Sequence, residues 1–285
     1  MPHALTTDGV RVAFTDLGGD GPPLLFAHAT GFHGHVWRPV AHHLRADFRC
    51  IVFDERGHGD TEAAPAGQSW HGFAADALAV VDELGLDAPF GVGHSAGGAA
   101  LLLAELARPG TFRSLWVFEP IVPPVASEQA RTGFVSGANP LAEGARRRRE
   151  VFDSRDAAYE NYAGKRPFSV LDPEALRAYV DFGFDDLDDG TVRLKCRRDV
   201  EAATYEMAVQ HGASARLHEV ACPVVLASGG QTDTPFGPAL MAQLAERITA
   251  GRAEPFAHLG HFGPLQEPAT IAESIRRSFV AGGGA

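Results

Sequence analysis

Residues 91–98, with the sequence GVGHSAGG, constrain the possible folds of this chain more than any other segment. They follow a short apolar run and open a nearly continuous apolar stretch, residues 97–107, which predicts a strand, a sharp turn and a buried helix. A G-x-S-x-G pentapeptide in this context is typical of a strained turn that exposes a serine hydroxyl, here Ser95. Backbone N–H groups at the helix N-terminus would stabilise negative charge formed beside that hydroxyl. We therefore predict that Ser95 is a nucleophile, and a purely structural glycine-rich turn is the alternative.

The rest of the chain alternates short apolar runs with amphipathic stretches, which is the pattern of a parallel sheet with crossover helices. Several apolar runs end in a polar residue, as buried parallel strands do where functional loops begin. We predict strands at residues 11–16, 24–28, 50–54, 89–94, 114–118, 224–227 and 255–258. Apolar residues that recur at helical spacing predict helices at 70–84, 97–107, 237–249 and 268–279. The predicted class is therefore α/β.

About a hundred residues between Pro120 and Cys222 interrupt this alternation, with a helical pattern and no convincing buried strands. An insertion of this size between core strands predicts a cap. The chain then divides into a first core part (1–120), a helical cap (121–221) and a second core part (222–285). Arginines 146–149 could recognise a carboxylate or phosphate. Four consecutive arginines on a helix cannot all face one site, so we favour a solvated face partly paired with Glu143 and Glu150.

Charge and cysteine content limit the partners and the compartment that can be expected. A formal net charge of −11 over 285 residues argues against nucleic acid, which requires a basic surface, and leaves small molecules as expected partners. Neither a disulfide framework nor a zinc site is expected from the three widely spaced cysteines, Cys50, Cys196 and Cys222. The first residues show no secretory pattern, and no apolar run is long enough to span a membrane. We expect a cytoplasmic protein with no membrane partner, no metal and no other cofactor; nothing in the sequence indicates its oligomeric state.

Three neighbouring histidines, His28, His33 and His35, could be taken as a metal site. No acidic ligand accompanies them in the sequence, so we favour a structural His28 and two solvated histidines. His94, adjacent to Ser95, is predicted to lie on the other side of the turn and to have a structural role.

Four motifs, in order along the chain, are similar to those of α/β-hydrolases, and the resemblance covers nearly the full length. They are HATGF at residues 28–32, DERGHGD at 54–60, the segment around Ser95 and LGHFGP at 259–264. The resemblance implies the α/β-hydrolase fold: a mostly parallel central sheet flanked by helices, with a helical cap inserted after the sixth strand. It also implies that residues 54–60 shape the floor of the site, where Asp54 and Arg56 tie loops together.

The resemblance further implies roles for individual residues. His261, in a glycine-flanked loop after the last predicted strand, corresponds to the general base that a serine nucleophile requires. His258 is expected to pack inside that strand. The backbone N–H groups of Thr30 and Ala96 correspond to the oxyanion-hole donors, which stabilise a tetrahedral intermediate.

Two carboxylates could orient this base. The family's chain order places the acid after strand 224–227, where Asp233 is within reach, and we favour it. Glu119, at the end of strand 114–118, is the alternative, because some branches of the fold take the acid from that strand. The oxyanion loop also departs from the family pattern, since Ala29 stands where glycine is common.

Together these residues predict a cofactor-free hydrolase of a small, moderately apolar carboxylic ester or lactone, acting through an acyl-enzyme on Ser95. Hydrolysis of a C–C bond in a ring-cleavage diketone, by the same residues, is the alternative enzymatic function. A catalytically silent ligand-binding protein is the alternative outside enzymes, and the intact set of residues argues against it. A serine at this position excludes the aspartyl-nucleophile branches, such as epoxide hydrolases and haloalkane dehalogenases.

Overall fold

An eight-stranded sheet forms the centre of the computed structural model, which describes residues 1–65, 67–123, 139–208 and 210–280. In chain order, the strands of the described residues are β1 (His3–Leu5), β2 (Arg11–Gly18), β3 (Pro23–Ala27), β4 (Arg49–Phe53), β5 (Phe90–His94), β6 (Ser114–Phe118), β7 (Val151–Phe152), β8 (Phe184–Asp186), β9 (Val192–Leu194), β10 (Val224–Gly229) and β11 (Gly251–Phe256). The central sheet has the order β1-β2-β4-β3-β5-β6-β10-β11. β2 is antiparallel to its neighbours β1 and β4, and every pairing from β4 to β11 is parallel. The mostly parallel sheet predicted from the sequence is confirmed.

The described residues form eleven α-helices, several of which begin at a side-chain cap. They are α1 (Arg38–Leu44), α2 (Trp70–Glu83), α3 (Ala96–Ala107), α4 (Pro140–Arg146), α5 (Arg155–Ala163), α6 (Pro173–Phe182), α7 (Arg198–Glu206), α8 (Ala213–Arg216), α9 (Pro238–Ala245), α10 (Gly263–Gln266) and α11 (Pro268–Val280). α2 begins where the Ser69 hydroxyl accepts the Gly72 N–H, as an N-cap does. The four helices predicted from the sequence correspond to α2, α3, α9 and α11. Within the described part of the chain, no helix has the length and apolar content needed to cross a membrane.

Two layers of helices cover the central sheet. On one face, α2, α3 and α9 bury an apolar layer that includes Phe73, Leu101 and Met241. On the other face, α1 and α11 bury Val40 and Ile271. Because β3 to β6 are covered on both faces, their sequences are continuous apolar runs rather than alternating ones. The carboxyl ends of these parallel strands meet at one edge of the sheet, where ligand sites form in such folds.

The interval predicted as a cap contains both helices and strands. α4 to α8 lie in it, and β7, β9 and β8 form a three-stranded antiparallel sheet in that order. The predicted helical cap therefore also contains a small sheet, which was not predicted because strands of two or three residues are too short to show a periodic pattern. Residues 124–138 of the predicted cap lie outside the described residues.

The last strand of the central sheet ends before the histidine that was predicted to lie in it. β11 lies at the sheet edge and ends at Phe256, and no residue along it is fully buried. His258 follows in a turn with 60% of its side chain exposed, and its Nε2 lies 3.1 Å from Glu267 Oε2. The prediction that His258 packs inside the strand is wrong, because an edge strand leaves its end open to solvent.

A buried ion pair joins the loop after β4 to α2. The Arg56 and Asp76 side chains are 1% and 0% exposed, and Arg56 Nη2 lies 2.7 Å from Asp76 Oδ1. Arg56 Nε donates to the same carboxylate at 3.0 Å, and Arg56 Nη1 contacts Asp8. Asp54, in the same loop, accepts the Gly34 N–H at 2.7 Å. These contacts agree with the structural role expected for Asp54 and Arg56.

We expect Asp76→Asn to lower the free energy of unfolding by about 3 kcal/mol, because it leaves the Arg56 guanidinium buried without its main counter-charge. Asp82→Asn is the matched control on the same helix. Asp82 pairs with Arg108 through side chains that are 63% and 43% exposed, and such pairs contribute less than about 1 kcal/mol. Urea unfolding at neutral pH, followed by circular dichroism, measures both changes. An equal decrease in the free energy of unfolding in the two variants would contradict a larger contribution from the buried pair.

Candidate active site

Ser95 lies in a sharp turn between β5 and α3. Its backbone has φ 55° and ψ −114°, a conformation that residues other than glycine rarely adopt. The chain passes so close to β3 at this turn that a Cβ on Gly97 would lie 2.5 Å from the Ala27 carbonyl carbon. The strand, turn and helix predicted around Ser95 are therefore confirmed, and glycine at position 97 is a steric requirement.

The two backbone N–H groups predicted as oxyanion donors have no acceptor among the described residues. The neighbours of Ala96 are both bonded: the Ser95 N–H donates to Phe118 O at 2.9 Å and the Gly97 N–H donates to His28 O at 3.0 Å. The Ala96 N–H belongs to the first turn of α3, where helix donors lack intrahelical partners. These bonds hold the turn and leave the Ala96 N–H available to a ligand.

Thr30 lies at the second position of a tight turn that follows β3. The turn is closed by the Phe32 N–H, which donates to Ala29 O at 3.1 Å. Gly31 has a positive φ of 81°, which the third residue of a type II turn requires. Ala29 does not have a positive φ. Alanine in place of the family's usual glycine therefore introduces no backbone strain, and the Thr30 N–H has no acceptor within the described chain.

His261 is hydrogen-bonded to Glu119. His261 Nδ1 lies 2.6 Å from Glu119 Oε2, and the two side chains are 16% and 0% exposed. Because a carboxylate only accepts hydrogen bonds, Nδ1 is the donor in this contact. The other ring nitrogen, Nε2, is then the acceptor of the neutral imidazole, which is the tautomer that a general base requires.

The Glu119 carboxylate is surrounded by donors at the end of β6. Oε1 accepts the Gly229 N–H at 2.9 Å, and Oε2 accepts the Thr232 hydroxyl at 3.0 Å in addition to His261 Nδ1. Glu119 has φ 43°, so it and Ser95 are two of the three described non-glycine residues with a positive φ. Strained backbone of this kind clusters at functional sites. These contacts fix the carboxylate in one position against the imidazole.

The structure places Glu119, and not the favoured Asp233, against His261. Asp233 lies in the loop after β10, where the family's chain order predicts an acid, but its side chain is exposed and has no hydrogen bond to a described residue. The same loop instead directs the Thr232 hydroxyl, and the Thr234 hydroxyl at 3.4 Å, to Glu119. Neither threonine is predicted from the sequence, because a hydroxyl donor has no distinctive pattern.

His94 places the His261 loop beside the Ser95 turn. His94 is buried and its Nε2 donates to the His261 carbonyl oxygen at 2.8 Å, while the two imidazole centroids lie 5.0 Å apart. Burial holds the pKa of His94 well below its ordinary value, and the nearby His261 lowers it further. The structural role predicted for His94 agrees with these contacts. The Ser95 hydroxyl itself makes no hydrogen bond to a described residue.

The three histidines after β3 are all buried. His28 Nδ1 donates to Ala29 O at 2.9 Å and its Nε2 accepts the Glu55 N–H at 3.0 Å, which agrees with a structural role. His33 and His35 were expected to be solvated and are instead 3% and 5% exposed, because α6 of the cap covers them. Burial lowers the pKa of both imidazoles to about 4. Within the described residues, no three His, Cys, Asp or Glu side chains are grouped as a metal ion would require.

A cavity of about 370 Å³ lies between the cap and the core, next to the predicted oxyanion loop. We call it the cap cavity. Six of its nineteen lining residues are aromatic, among them Phe32, Tyr162, Phe168, Tyr205 and Phe262, and Thr30 also lines it. Because Phe262 directly follows His261, the cap cavity reaches the region of the predicted base. A larger cavity of about 570 Å³, beside α1 and α6, contacts none of the predicted site residues.

Arginines 146–149 do not form one solvated face. The first two pair with Glu143 at the surface, as expected, whereas Glu150 pairs with arginines at the start of α7. Arg148 is only 17% exposed, lines the cap cavity and pairs with Glu201 at 2.5 Å. The prediction of a solvated face is therefore wrong for Arg148, because its partner is distant in sequence and only the fold brings the two together.

Comparison with known proteins assigns the family. A model of the alpha/beta hydrolase family matches residues 24–274, and the chain therefore belongs to this family of hydrolase-type enzymes. A non-heme chloroperoxidase of Burkholderia pyrrocinia is 33% identical over 129 residues, and a bifunctional esterase/perhydrolase of Acinetobacter calcoaceticus is 31% identical over 127 residues. Each match covers 44% of this chain and 46% of the relative, so the chain spans less than half the length of these two relatives.

A solved structure supports the fold over nearly the whole chain. The crystal structure of E-2-(acetamidomethylene)succinate hydrolase superposes with a TM-score of 0.79 and 20% sequence identity. The superposition covers 95% of this chain and 96% of that one. At this level of identity the similarity supports the α/β-hydrolase fold alone.

Proposed function

We propose that Ser95, His261 and Glu119 form a catalytic triad that hydrolyses a small carboxylic ester through an acyl-enzyme. The observation that supports this most directly is the 2.6 Å hydrogen bond between His261 Nδ1 and the buried Glu119 carboxylate, beside the strained turn at Ser95. A buried carboxylate hydrogen-bonded to an imidazole fixes its tautomer and stabilises its cationic form.

In this mechanism His261 Nε2 takes the proton of the Ser95 hydroxyl as that oxygen attacks the ester carbonyl carbon. The carbonyl oxygen becomes an oxyanion, which the N–H groups of Thr30 and Ala96 stabilise. The imidazolium then protonates the leaving alkoxide, and the ester bond breaks to give the acyl-enzyme and free alcohol. Water, deprotonated by His261, attacks the acyl-enzyme and releases the carboxylic acid.

Similarity to the Acinetobacter calcoaceticus esterase/perhydrolase favours an ester as the substrate class. The aromatic lining of the cap cavity is compatible with a small acyl group of moderate length. A ring-cleavage diketone would need the same three residues, so the two reactions must be separated by assay.

We expect hydrolysis of 4-nitrophenyl esters with short acyl chains, and a burst of 4-nitrophenol equal to the enzyme concentration where deacylation is slower than acylation. The burst reports the acyl-enzyme directly, because one equivalent of phenol is released before water attacks. A series from acetate to octanoate, run beside a ring-cleavage diketone, measures the preference. Faster turnover of the diketone than of every ester would reassign the reaction to C–C hydrolysis. No turnover of either class, with no labelling by a fluorophosphonate, would overturn the proposal.

A further inference from the structure

We propose that the cap cavity selects substrates that bear a carboxylate, so that the preferred ester is an anionic one such as a half-ester of a dicarboxylic acid. This inference rests on the proposed ester hydrolysis and names its substrate class. It starts from position: the cap cavity is lined both by Thr30 and by Phe262, which directly follows His261. A substrate whose carbonyl group lies at the oxyanion loop would therefore place another part of the same molecule in the cap cavity.

The charge of the cap cavity is opposite to that of the whole protein. Four of its lining residues are basic and one is acidic: Arg148, Arg149, Lys165 and Arg166 against Glu201. The protein as a whole has a net charge of −11. A cavity lined by one sign of charge attracts ligands of the other sign, and the low-dielectric aromatic walls strengthen that attraction. A pocket for a neutral acyl chain would gain nothing from these cations.

Arg148 is held in a fixed orientation inside the cavity. Its Nη1 donates to Glu201 Oε2 at 2.5 Å, and its Nη2 donates to the Tyr179 hydroxyl at 2.5 Å and to the Tyr162 hydroxyl at 3.3 Å. The guanidinium carbon also lies 5.9 Å from the Tyr162 ring centroid and 5.8 Å from that of Phe168. The guanidinium has two further N–H groups, on Nε and Nη1, with no acceptor in the described part of the chain.

The Arg148–Glu201 pair lies directly against the oxyanion loop. A Cβ built on Gly31, the residue after Thr30, would be 2.6 Å from Glu201 Oε1 and 3.4 Å from Arg148 Nη1. Glycine at this position therefore allows the pair to approach the loop. Arginine binds carboxylates through charge-assisted and often bidentate hydrogen bonds, and this guanidinium is placed within one residue of the predicted oxyanion donor.

Arg166 supplies a second cation nearer to the base. It lines both the cap cavity and a neighbouring cavity that includes His261, and it forms no ion pair with a described residue. An exposed arginine at the junction of two cavities can meet a substrate carboxylate on its way to Arg148. The two arginines together favour an anionic substrate over a neutral one.

A pair of probes tests this selectivity. Mono-(4-nitrophenyl) glutarate carries a carboxylate where 4-nitrophenyl valerate carries a methyl group, and both release the same phenol. We expect kcat/KM to be about 10- to 100-fold higher for the glutarate ester, which is the range of a hydrogen-bonded charge pair. Free glutarate is expected to inhibit valerate-ester hydrolysis competitively, and free valerate and inorganic phosphate to inhibit it less.

The double variant Arg148→Gln/Glu201→Gln tests the assigned residue without leaving a buried charge unpaired. We expect the ratio of the two kcat/KM values to fall toward one and glutarate inhibition to weaken at least tenfold. Arg147→Gln is the control: it removes the same charge one residue away, from a side chain that is 72% exposed and outside the cavity lining. We expect it to keep the wild-type ratio.

Several results would overturn the inference. They are an equal or lower kcat/KM for the glutarate ester in the wild type, stronger inhibition by phosphate than by glutarate, and the same fall in the ratio for Arg147→Gln as for the double variant. A double variant that loses both activities in equal proportion would show that Arg148 is structural. If neither ester is hydrolysed and Ser95 is not labelled by a fluorophosphonate, the proposed function fails, and calorimetric binding of glutarate against valerate still decides whether the cavity selects carboxylates.

Discussion

Ser95→Ala is expected to lower kcat for ester hydrolysis by about a million-fold, while the protein stays folded. The loss is this large because the hydroxyl oxygen forms the bond to the substrate, and alanine offers no atom that can replace it. The fold should tolerate the change, because the Ser95 side chain does not hold the strained turn. The turn, with φ 55° at Ser95, is held by the backbone hydrogen bond from the Ser95 N–H to Phe118 O at 2.9 Å. Steady-state hydrolysis and stoichiometric fluorophosphonate labelling measure the effect, and circular dichroism checks the fold.

A matched pair of histidine variants controls the same experiment. His261→Ala is expected to reduce kcat nearly as much as Ser95→Ala, because the two residues act as one unit. His258→Ala removes an imidazole three residues away that is 60% exposed and, among the described residues, is bonded only to Glu267. We expect this variant to keep its activity. Residual activity above about one per cent in purified Ser95→Ala would contradict the nucleophile assignment.

The parts of the site that were predictable are those whose signal is local in sequence. The apolar strand, the glycines and the apolar helix that define the Ser95 turn occupy fewer than twenty consecutive residues. Thr30 likewise comes shortly after an apolar strand, and His261 lies in a glycine-flanked loop; both patterns can be recognised in the sequence. Parallel strands place such loops at one edge of the sheet, so the topology alone brings the three regions together.

The parts that were mispredicted depend on contacts between distant residues. Arg148 and Glu201 are 53 residues apart in sequence, and His33 and Tyr179 are 146 apart. Periodicity reports which face of its own helix or strand a residue occupies, but it does not report what another element places against that face. For this reason both Arg148 and His33 were expected in solvent, whereas the Arg148 side chain is only 17% exposed and His33 is buried beneath α6.

The sequence does not show which of two acids lies against His261, for a related reason. Glu119 and Asp233 follow β6 and β10, which are neighbours in the sheet and end at the same edge. Either carboxylate could therefore be near His261 on topology alone. Only the geometry separates them, since Glu119 points inward at 0% exposure while Asp233 is exposed.

Glu119→Gln is expected to lower kcat by about ten-thousand-fold, through the tautomer of His261. The wild-type carboxylate accepts at both oxygens, from the Gly229 N–H and from His261 Nδ1. A glutamine must place its NH₂ group at one of these positions, where it meets a donor. The Gly229 N–H cannot change, so the NH₂ group turns to His261 and favours protonation on Nε2, which can then no longer accept a proton from Ser95.

Asp233→Asn is the matched control, because it makes the same chemical change in a carboxylate that has no hydrogen bond to a described residue. We expect its kcat to stay near the wild-type value. Because Glu119→Gln acts through the imidazole, KM for a neutral ester should change far less than kcat, whereas general unfolding of the site would alter both. A larger fall in kcat for Asp233→Asn than for Glu119→Gln, with both proteins folded, would return the orienting role to Asp233 and require the loop after β10 to move when substrate binds.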